Sequence, residues 1–299
     1  MTISTPTTSR LLILAAAVLF STGGAAVKAT TLSNWQVAGF RSAIAALMLF
    51  ALMPTARGRW TWPMLFLGSA YAATLILFVS ATKLTTAANT IFLQSTSPLY
   101  VLLLSPWLLK EPIHRRDLAL MLIMGVGLGL CFIGIEPPVV TAPDPARGNV
   151  LAVGSGICWA ITLTGLRWLT RRNSQNAGIA ATAVVVGNVI AFVVCLPFAL
   201  PVSSSTTSDW LIVAYLGIFQ IGLAYVFLTS AIRHLPALEV SLLLLIEPVL
   251  NPLATWIVHR EVPSGWSLIG GGIILLGTIL NTLAKATAQS TMTKEKEAI

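Results

Sequence analysis

The sequence predicts an all-α membrane protein of ten transmembrane helices, arranged as two inverted five-helix repeats. Three observations carry that expectation. The chain is 56% hydrophobic and 9% charged, against about 25% charged residues in a soluble domain, and its mean hydropathy is +0.85. Two stretches, Lys83 to Glu111 and Arg233 to Glu261, echo one another at an offset of 150 residues. Each runs from a basic residue through an apolar tract holding Pro98 or Pro248 and ends in Lys110-Glu111 or Arg260-Glu261. Basic residues, finally, gather on alternate sides of the tracts, as the loops of a multi-span protein do.

The elements follow in order. After a polar start with one charge, Arg10, the tract from Leu11 is as long as the roughly 20 residues that cross a hydrocarbon core, and it reads as a retained first helix rather than a cleaved signal. Breaks and charge clusters then give spans at 11–30, 34–53, 61–80, 85–107 and 117–137 in the first half. The second half repeats the count at 148–168, 177–199, 209–230, 236–257 and 265–285. Between them Glu136 to Gly148, with Pro137, Pro138, Pro143 and Pro145, reads as a linker. This assigns residues 1–137 to one five-helix unit, 138–147 to the linker, and 148–299 to a second unit with a tail. An odd number of helices per unit makes the second enter from the opposite side, so the two units are inverted.

Charge sets the orientation. With the amino terminus in the cytoplasm, Arg10, Arg57, Arg59, Lys110, Arg115, Arg116, Arg167, Arg171, Arg172, Arg233, Lys285, Lys294 and Lys296 lie inside. Lys83, Arg147 and Arg260 lie outside, with Lys28 near the outer end of the first span. Both termini are expected in the cytoplasm. Trp35, Trp60, Trp62, Trp107, Trp168, Trp210, Trp256 and Trp266 fall near span ends, where an amphipathic ring suits the interface.

Polar side chains inside the spans are few, and each is costly unless it is paired or lines a wet cavity. Arg41 lies about seven residues into the second span, close enough to an interface to snorkel. Glu239 and Glu247 share the ninth span, and at the 150-residue offset they match Asn89 and Ser97. The matched positions are thus polar in both halves and acidic in one, and together they suggest polar patches around a common cavity. Glu247, near mid-membrane, invites two readings: a hydrogen bond to backbone freed by Pro248, or protonation linked to solute movement. Glu239 lies nearer the cytoplasmic end, where water or Arg233 is a natural partner. Pro98 and Pro248, at matched positions, are candidate hinges, because a proline in a helix removes one backbone donor and exposes a carbonyl. Phe20, Tyr71, Tyr100, Trp159 and Tyr225 lie away from span ends and suggest an aromatic pocket for an organic solute, although core packing serves each singly as well. The glycines at 23–24, 125–129 and 270–272 read chiefly as helix contacts.

Other functions are disfavoured. The net charge of +8 is punctuation between apolar tracts, without the basic stripe and interleaved aromatics of a nucleic-acid surface. No GxxxxGK[ST] loop and no HExxH occurs, and Cys131, Cys158 and Cys195 have neither ligand nor disulfide spacing. No enzyme activity, metal or cofactor is expected.

The segment Leu245-Ile246-Glu247-Pro248-Val249, followed by Trp256, Arg260-Glu261, Ile269-Gly270 and Gly277, resembles the drug/metabolite transporter superfamily, in particular its EamA-type exporters. The first half carries a weaker counterpart in Ser97-Pro98-Leu99, Lys110-Glu111 and Gly125 to Gly129. The resemblance covers nearly the whole chain. It implies ten helices in an inverted repeat, a central cavity lined mainly by spans 1, 3, 4, 6, 8 and 9, and export of a small organic metabolite, such as an amino acid, across a bacterial inner membrane. Phe20, Tyr71, Asn89, Trp159 and Tyr225 are the cavity candidates, and Glu239, Glu247 and Arg41 the polar or proton-coupling candidates. The partners expected are a small solute and the lipid bilayer, with proton coupling unresolved between the two readings of Glu247. Ser97, where the second half has Glu247, departs from a symmetric pattern. A channel and a non-transporting scaffold or receptor stand as rival readings, and cargo, direction and oligomeric state are left undetermined.

Overall fold

The computed structural model describes residues 6–58, 60–110, 112–133, 135, 137–172, 178–231, 234–235 and 237–297. Side chains at 6, 116, 170–172, 237, 238, 241 and 284–297 are outside that description. Expectations resting on Arg59, Glu111, Glu136 and Arg233, or on the side chains of Arg116, Arg171, Arg172, Lys285, Lys294 and Lys296, thus fall outside the described residues.

The protein is an all-α, multi-span membrane protein. Among the described residues nine helical stretches are long and apolar enough to cross a bilayer, and a tenth apolar stretch, Asp117–Ile133, is shorter. Span 1 comprises α1 (Pro6–Ser21) and α2 (Gly23–Ala29); spans 2 and 3 are α3 (Asn34–Leu52) and α4 (Trp62–Leu84). Span 4 is divided into α5 (Ala87–Gln94) and α6 (Ser97–Leu108), and span 5 is α7 (Arg115–Ile133). Spans 6 and 7 are α8 (Pro145–Arg172) and α9 (Ile179–Ala199). Span 8 joins α10 (Thr207–Tyr215) to α11 (Ala224–Ala231) through a π-helical stretch, Leu216–Leu223. Span 9 is again divided, into α12 (Ala237–Leu244) and α13 (Glu247–His259), and α14 (Gly265–Glu297) closes the chain.

Local chemistry sets the ends. Ser33 and Gln36 form a capping box at the start of α3, Thr206 and Asp209 form another at α10, and the Thr86 hydroxyl accepts from Asn89 N–H at α5; each satisfies donors that a helix start leaves open. Span 6 begins three residues earlier than the sequence suggested. Pro145 opens α8, a position where its missing N–H removes nothing the helix needs, while Asp144 accepts from Arg147 N–H at 3.1 Å.

The divided spans correct the expectation of prolines inside continuous helices. Pro98 and Pro248 occupy the first turn of α6 and α13, and the interruption falls just before them. There the backbone tightens to i−3 bonding: Thr96 N–H to Leu93 O, Leu99 to Thr96, Leu245 to Leu242, Ile246 to Leu243 and Val249 to Ile246. The boundaries of α5, α6, α12 and α13 repeat at the 150-residue offset, as 87, 94 and 97 against 237, 244 and 247. Lys110 and Arg260, also 150 apart, are the positive-φ non-glycine residues among those described, at 55° and 57°.

Packing between the halves shows the same exchange. Span 3 packs on span 6 as span 8 packs on span 1; span 3 meets span 7 as span 8 meets span 2; span 4 meets span 6 as span 9 meets span 1. Spans 2 and 7 pair, as do spans 5 and 10. At the last contact Gly127 and Gly270 face one another so closely that a Cβ on either would come within 2.7 or 2.5 Å of the other's carbonyl oxygen, a backbone approach that small residues permit. The halves are interleaved, and a space that seven of the spans enclose between them is the candidate site. Outward, large apolar side chains such as Leu47, Phe66, Leu122 and Ile257 are exposed, as a lipid-facing surface requires.

Candidate functional site

Spans 1, 2, 3, 4, 6, 8 and 9 converge on a cavity of about 290 Å³. Four aromatic residues from four spans form one wall. Tyr71 of α4 donates its hydroxyl to Tyr225 of α11 at 2.9 Å, Phe20 of α1 meets the Tyr225 ring edge-on at 5.4 Å between centroids, and Trp159 of α8 lies 6.1 Å from Tyr71. Such rings give apolar contact area with a polar rim. Much of the lining comes in positions 150 residues apart: Tyr71 and Ile221, Leu75 and Tyr225, Phe78 and Leu228, Gln94 and Leu244. Matched scaffolds thus present unmatched chemistry.

The polar wall is made by Arg41, Thr74, Gln94, Gln220 and Glu247. Arg41 is 1% exposed, which corrects the expectation of snorkelling: α3 packs against α9, α4 and the π-helical stretch of span 8, and the guanidinium is turned toward Leu75 and Gln220 on the last two of these. Its guanidinium makes two long contacts, from Nη1 to the Gln220 side-chain oxygen at 3.5 Å and from Nη2 to Leu75 O at 3.4 Å. Arg41 Nε finds no acceptor among the described residues. Gln220 is carried by the π-helical stretch, a geometry that often accompanies functional sites. Gln94 donates to Ser155 Oγ at 2.8 Å, and Ser155 in turn to Thr74 O at 3.1 Å.

Glu247 is the first residue of α13, at the span 9 interruption, where helix N-terminal donors favour an acidic group. It is half-buried on the cavity and forms no hydrogen bond or ion pair among the described residues. Gln94 and Leu244, which end α5 and α12, also line the cavity, so both interruptions face it.

Asn89 lies elsewhere. It lines a second cavity of about 310 Å³ with Thr85, Thr86, Arg260 and Glu261, and donates to Asn149 Oδ1 at 3.2 Å. This end of the bundle is tied by polar contacts. Lys28 and Glu261, with side chains 3% and 4% exposed, form an ion pair at 2.8 Å, and Glu261 also accepts from Ala87 N–H at 2.7 Å. Lys28 donates further to Thr85 O at 2.9 Å and to Thr141 O. His259 Nε2 donates to Ala25 O at 2.8 Å. Asp209 accepts from Thr30 Oγ1 and Thr31 N–H, each at 2.7 Å. Together these join spans 1, 3, 4, 8 and 9 around one end.

Glu239 is at the opposite end, ion-paired with Arg10. The notion that Asn89 and Glu239 share a cavity is thus corrected: spans 4 and 9 run in opposite senses, and matched positions near their starts lie at opposite ends of the bundle. Of the sequence candidates, Phe20, Tyr71, Trp159, Tyr225, Arg41 and Glu247 are brought together, and Asn89 and Glu239 are not. Gln94 and Gln220 were missed. The available signal was an amide inside an apolar tract, as in Ile218-Phe219-Gln220-Ile221, which charge counting passes over.

The sequence profile of the EamA-like transporter family matches twice, over residues 7–133 and 146–283. The chain is 28% identical over 275 residues to the pseudopaline exporter CntI of Pseudomonas aeruginosa, covering 90% of this chain and 94% of that protein. It is 25% identical over 256 residues to the threonine/homoserine exporter RhtA of Escherichia coli, covering 83% and 81%. A solved protein structure superposes with a TM-score of 0.61 at 20% identity, over 94% of this chain and 99% of the other, which demonstrates a shared fold.

Proposed function

The chain belongs to the EamA-like transporter family, and on that premise we propose that it is a secondary exporter of a small organic metabolite, such as an amino acid, across the bacterial inner membrane. Residues 1–137 and 148–299 form two inverted five-helix repeats joined by 138–147, and both termini are cytoplasmic. The cavity of about 290 Å³ is the solute site. The observation that carries this reading is its lining by positions 150 residues apart around two interrupted spans, the arrangement in which an inverted pair can rock about one fixed site.

In this orientation the end tied by Lys28, Glu261 and Asp209 faces outward, and its contacts are the outer gate. They must part for release, which is why they link spans of both halves. Phe20, Tyr71, Trp159 and Tyr225 hold the cargo's apolar part, and Glu247 is the group whose protonation couples to movement. Pro98 and Pro248 fix the interruptions about which the spans bend. Kinship with a protein named as an amino-acid exporter supports this cargo class and direction.

Reconstitution of the purified chain with a panel of amino acids and amphipathic metabolites tests the proposal, with flux measured with and without a proton gradient. Saturable counterflow of one solute class, enhanced by the gradient, is expected. Unitary conductance steps would identify a channel instead, and a complete lack of flux a scaffold or receptor.

A further inference from the structure

We propose that Arg41 is the docking group for a carboxylate of the cargo, and that the cavity selects solutes carrying a carboxylate and a cationic group together, rejecting their decarboxylated and esterified analogues. This rests on the reading of the cavity as the solute site and narrows it to a chemical class.

Arg41 carries the inference because its burial is not matched by its partners. A guanidinium has five N–H donors in a planar fork shaped for an oxyanion. At 1% exposure, a structural arginine would be expected to spend these donors on nearby carbonyls or a carboxylate, since an unpaired buried donor is costly. Arg41 instead makes contacts of 3.4 and 3.5 Å to neutral oxygens, its Nε has none, and it takes part in no ion pair among the described residues. The same side chain lines the cavity. An anionic oxygen pair entering there would receive the donors that the fold leaves underused.

Charge balance then selects among anions. Arg41 and Glu247 are the charged residues of the lining, and they carry opposite formal charges. A desolvated cargo is accommodated with least uncompensated charge when it is neutral overall. A dianionic phosphate leaves an excess of negative charge and a simple amine an excess of positive charge. A zwitterion, with its carboxylate on Arg41 and its cation toward Glu247, leaves neither. The aromatic wall of Phe20, Tyr71 and Trp159 receives what joins them.

The test uses the full chain in liposomes of phosphatidylethanolamine and phosphatidylglycerol. Counterflow is measured with the standard L-amino acids, their decarboxylated amines and methyl esters, and uracil and adenine as neutral solutes. Wild type is expected to carry one or more amino acids at least about tenfold faster than the matching amine and ester, the discrimination that one charge-assisted hydrogen bond supplies. Arg41→Gln is expected to lower amino-acid flux by about 10- to 100-fold without lowering flux of the amine, so that selectivity collapses. Gln220→Glu places a carboxylate on the Arg41 fork. It is expected to abolish amino-acid flux while raising the thermal unfolding midpoint, and it decides the matter if Arg41→Gln does not fold. Equal loss of acid and amine flux in Arg41→Gln would overturn the proposal, as would retained amino-acid flux in Gln220→Glu. Flux in wild type of amines, esters or nucleobases alone would overturn it while leaving the transporter reading intact; no flux of any probe would overturn both.

Discussion

Lys28 and Glu261 show what a single buried pair does in this molecule. Their side chains are almost fully enclosed and joined at 2.8 Å, and Glu261 also caps α5 through Ala87 N–H. Removing one partner strands the other charge, a loss of about 3–5 kcal/mol when a buried pair is broken. Lys28→Met is expected to lower the unfolding midpoint in detergent sharply, whereas Lys28→Met combined with Glu261→Gln should recover much of the loss; an additive double variant would show that the pair is not coupled. Glu247 has the opposite character, lining the cavity with no hydrogen bond or ion pair among the described residues. Glu247→Gln is expected to leave the fold intact and flatten the pH dependence of solute flux across vesicle membranes, and an unchanged pH profile would remove it from proton coupling. The sequence made Glu247 and Arg41 visible because charge inside an apolar tract is conspicuous. It did not reveal Gln220, because an amide in such a tract is also consistent with a hydrogen bond within its own helix.

Elements of this protein are set as much by where helices stop as by where they run. Pro98 and Pro248 reside in the first turn of α6 and α13, so the spans are interrupted ahead of the prolines, at 95–96 and 245–246. A proline lacks the N–H that would bond four residues back, and its ring crowds that residue's carbonyl. For Pro98 and Pro248 those residues are Gln94 and Leu244, the last of α5 and α12, so the break falls between them and the prolines. Helix contacts were equally readable in kind but not in partner. The sequence offers glycines at 125, 127 and 129 without distinguishing them. In the fold a Cβ at Gly127 would lie 2.7 Å from Gly270 O, while one at Gly125 meets nothing within 4 Å. Gly127→Ala is expected to destabilise the protein by about 1–3 kcal/mol through overpacking, and Gly125→Ala to be neutral, as judged by thermal unfolding in micelles. Equal effects would mean that spans 5 and 10 do not meet there.

At the scale of the whole molecule, the two halves bury one another's faces: span 3 rests on spans 6 and 7, and span 8 on spans 1 and 2. Because these contacts cross between halves, residues 1–137 expressed alone are expected to be readily degraded in membranes, and coexpression with 138–299 to restore protection; a stable isolated half would contradict this. Single cysteines near residue 4 and residue 295, in a background lacking Cys131, Cys158 and Cys195, are expected to be shielded from an impermeant thiol reagent in intact cells and labelled after permeabilisation. Labelling without permeabilisation would reverse the proposed orientation. The sequence by itself determined that this is a multi-span helical protein, roughly where its spans lie, and that two stretches repeat at 150 residues, since hydropathy, charge and proline position are properties of the chain as written. Only the tertiary structure decided that Arg41 is enclosed, that Asn89 and Glu239 lie at opposite ends, and that Gln94 and Gln220 line one cavity with Tyr71 and Tyr225. Those facts depend on which face of each helix meets which neighbour, and the low polarity of a membrane helix on all sides leaves no periodic stripe from which that face can be read.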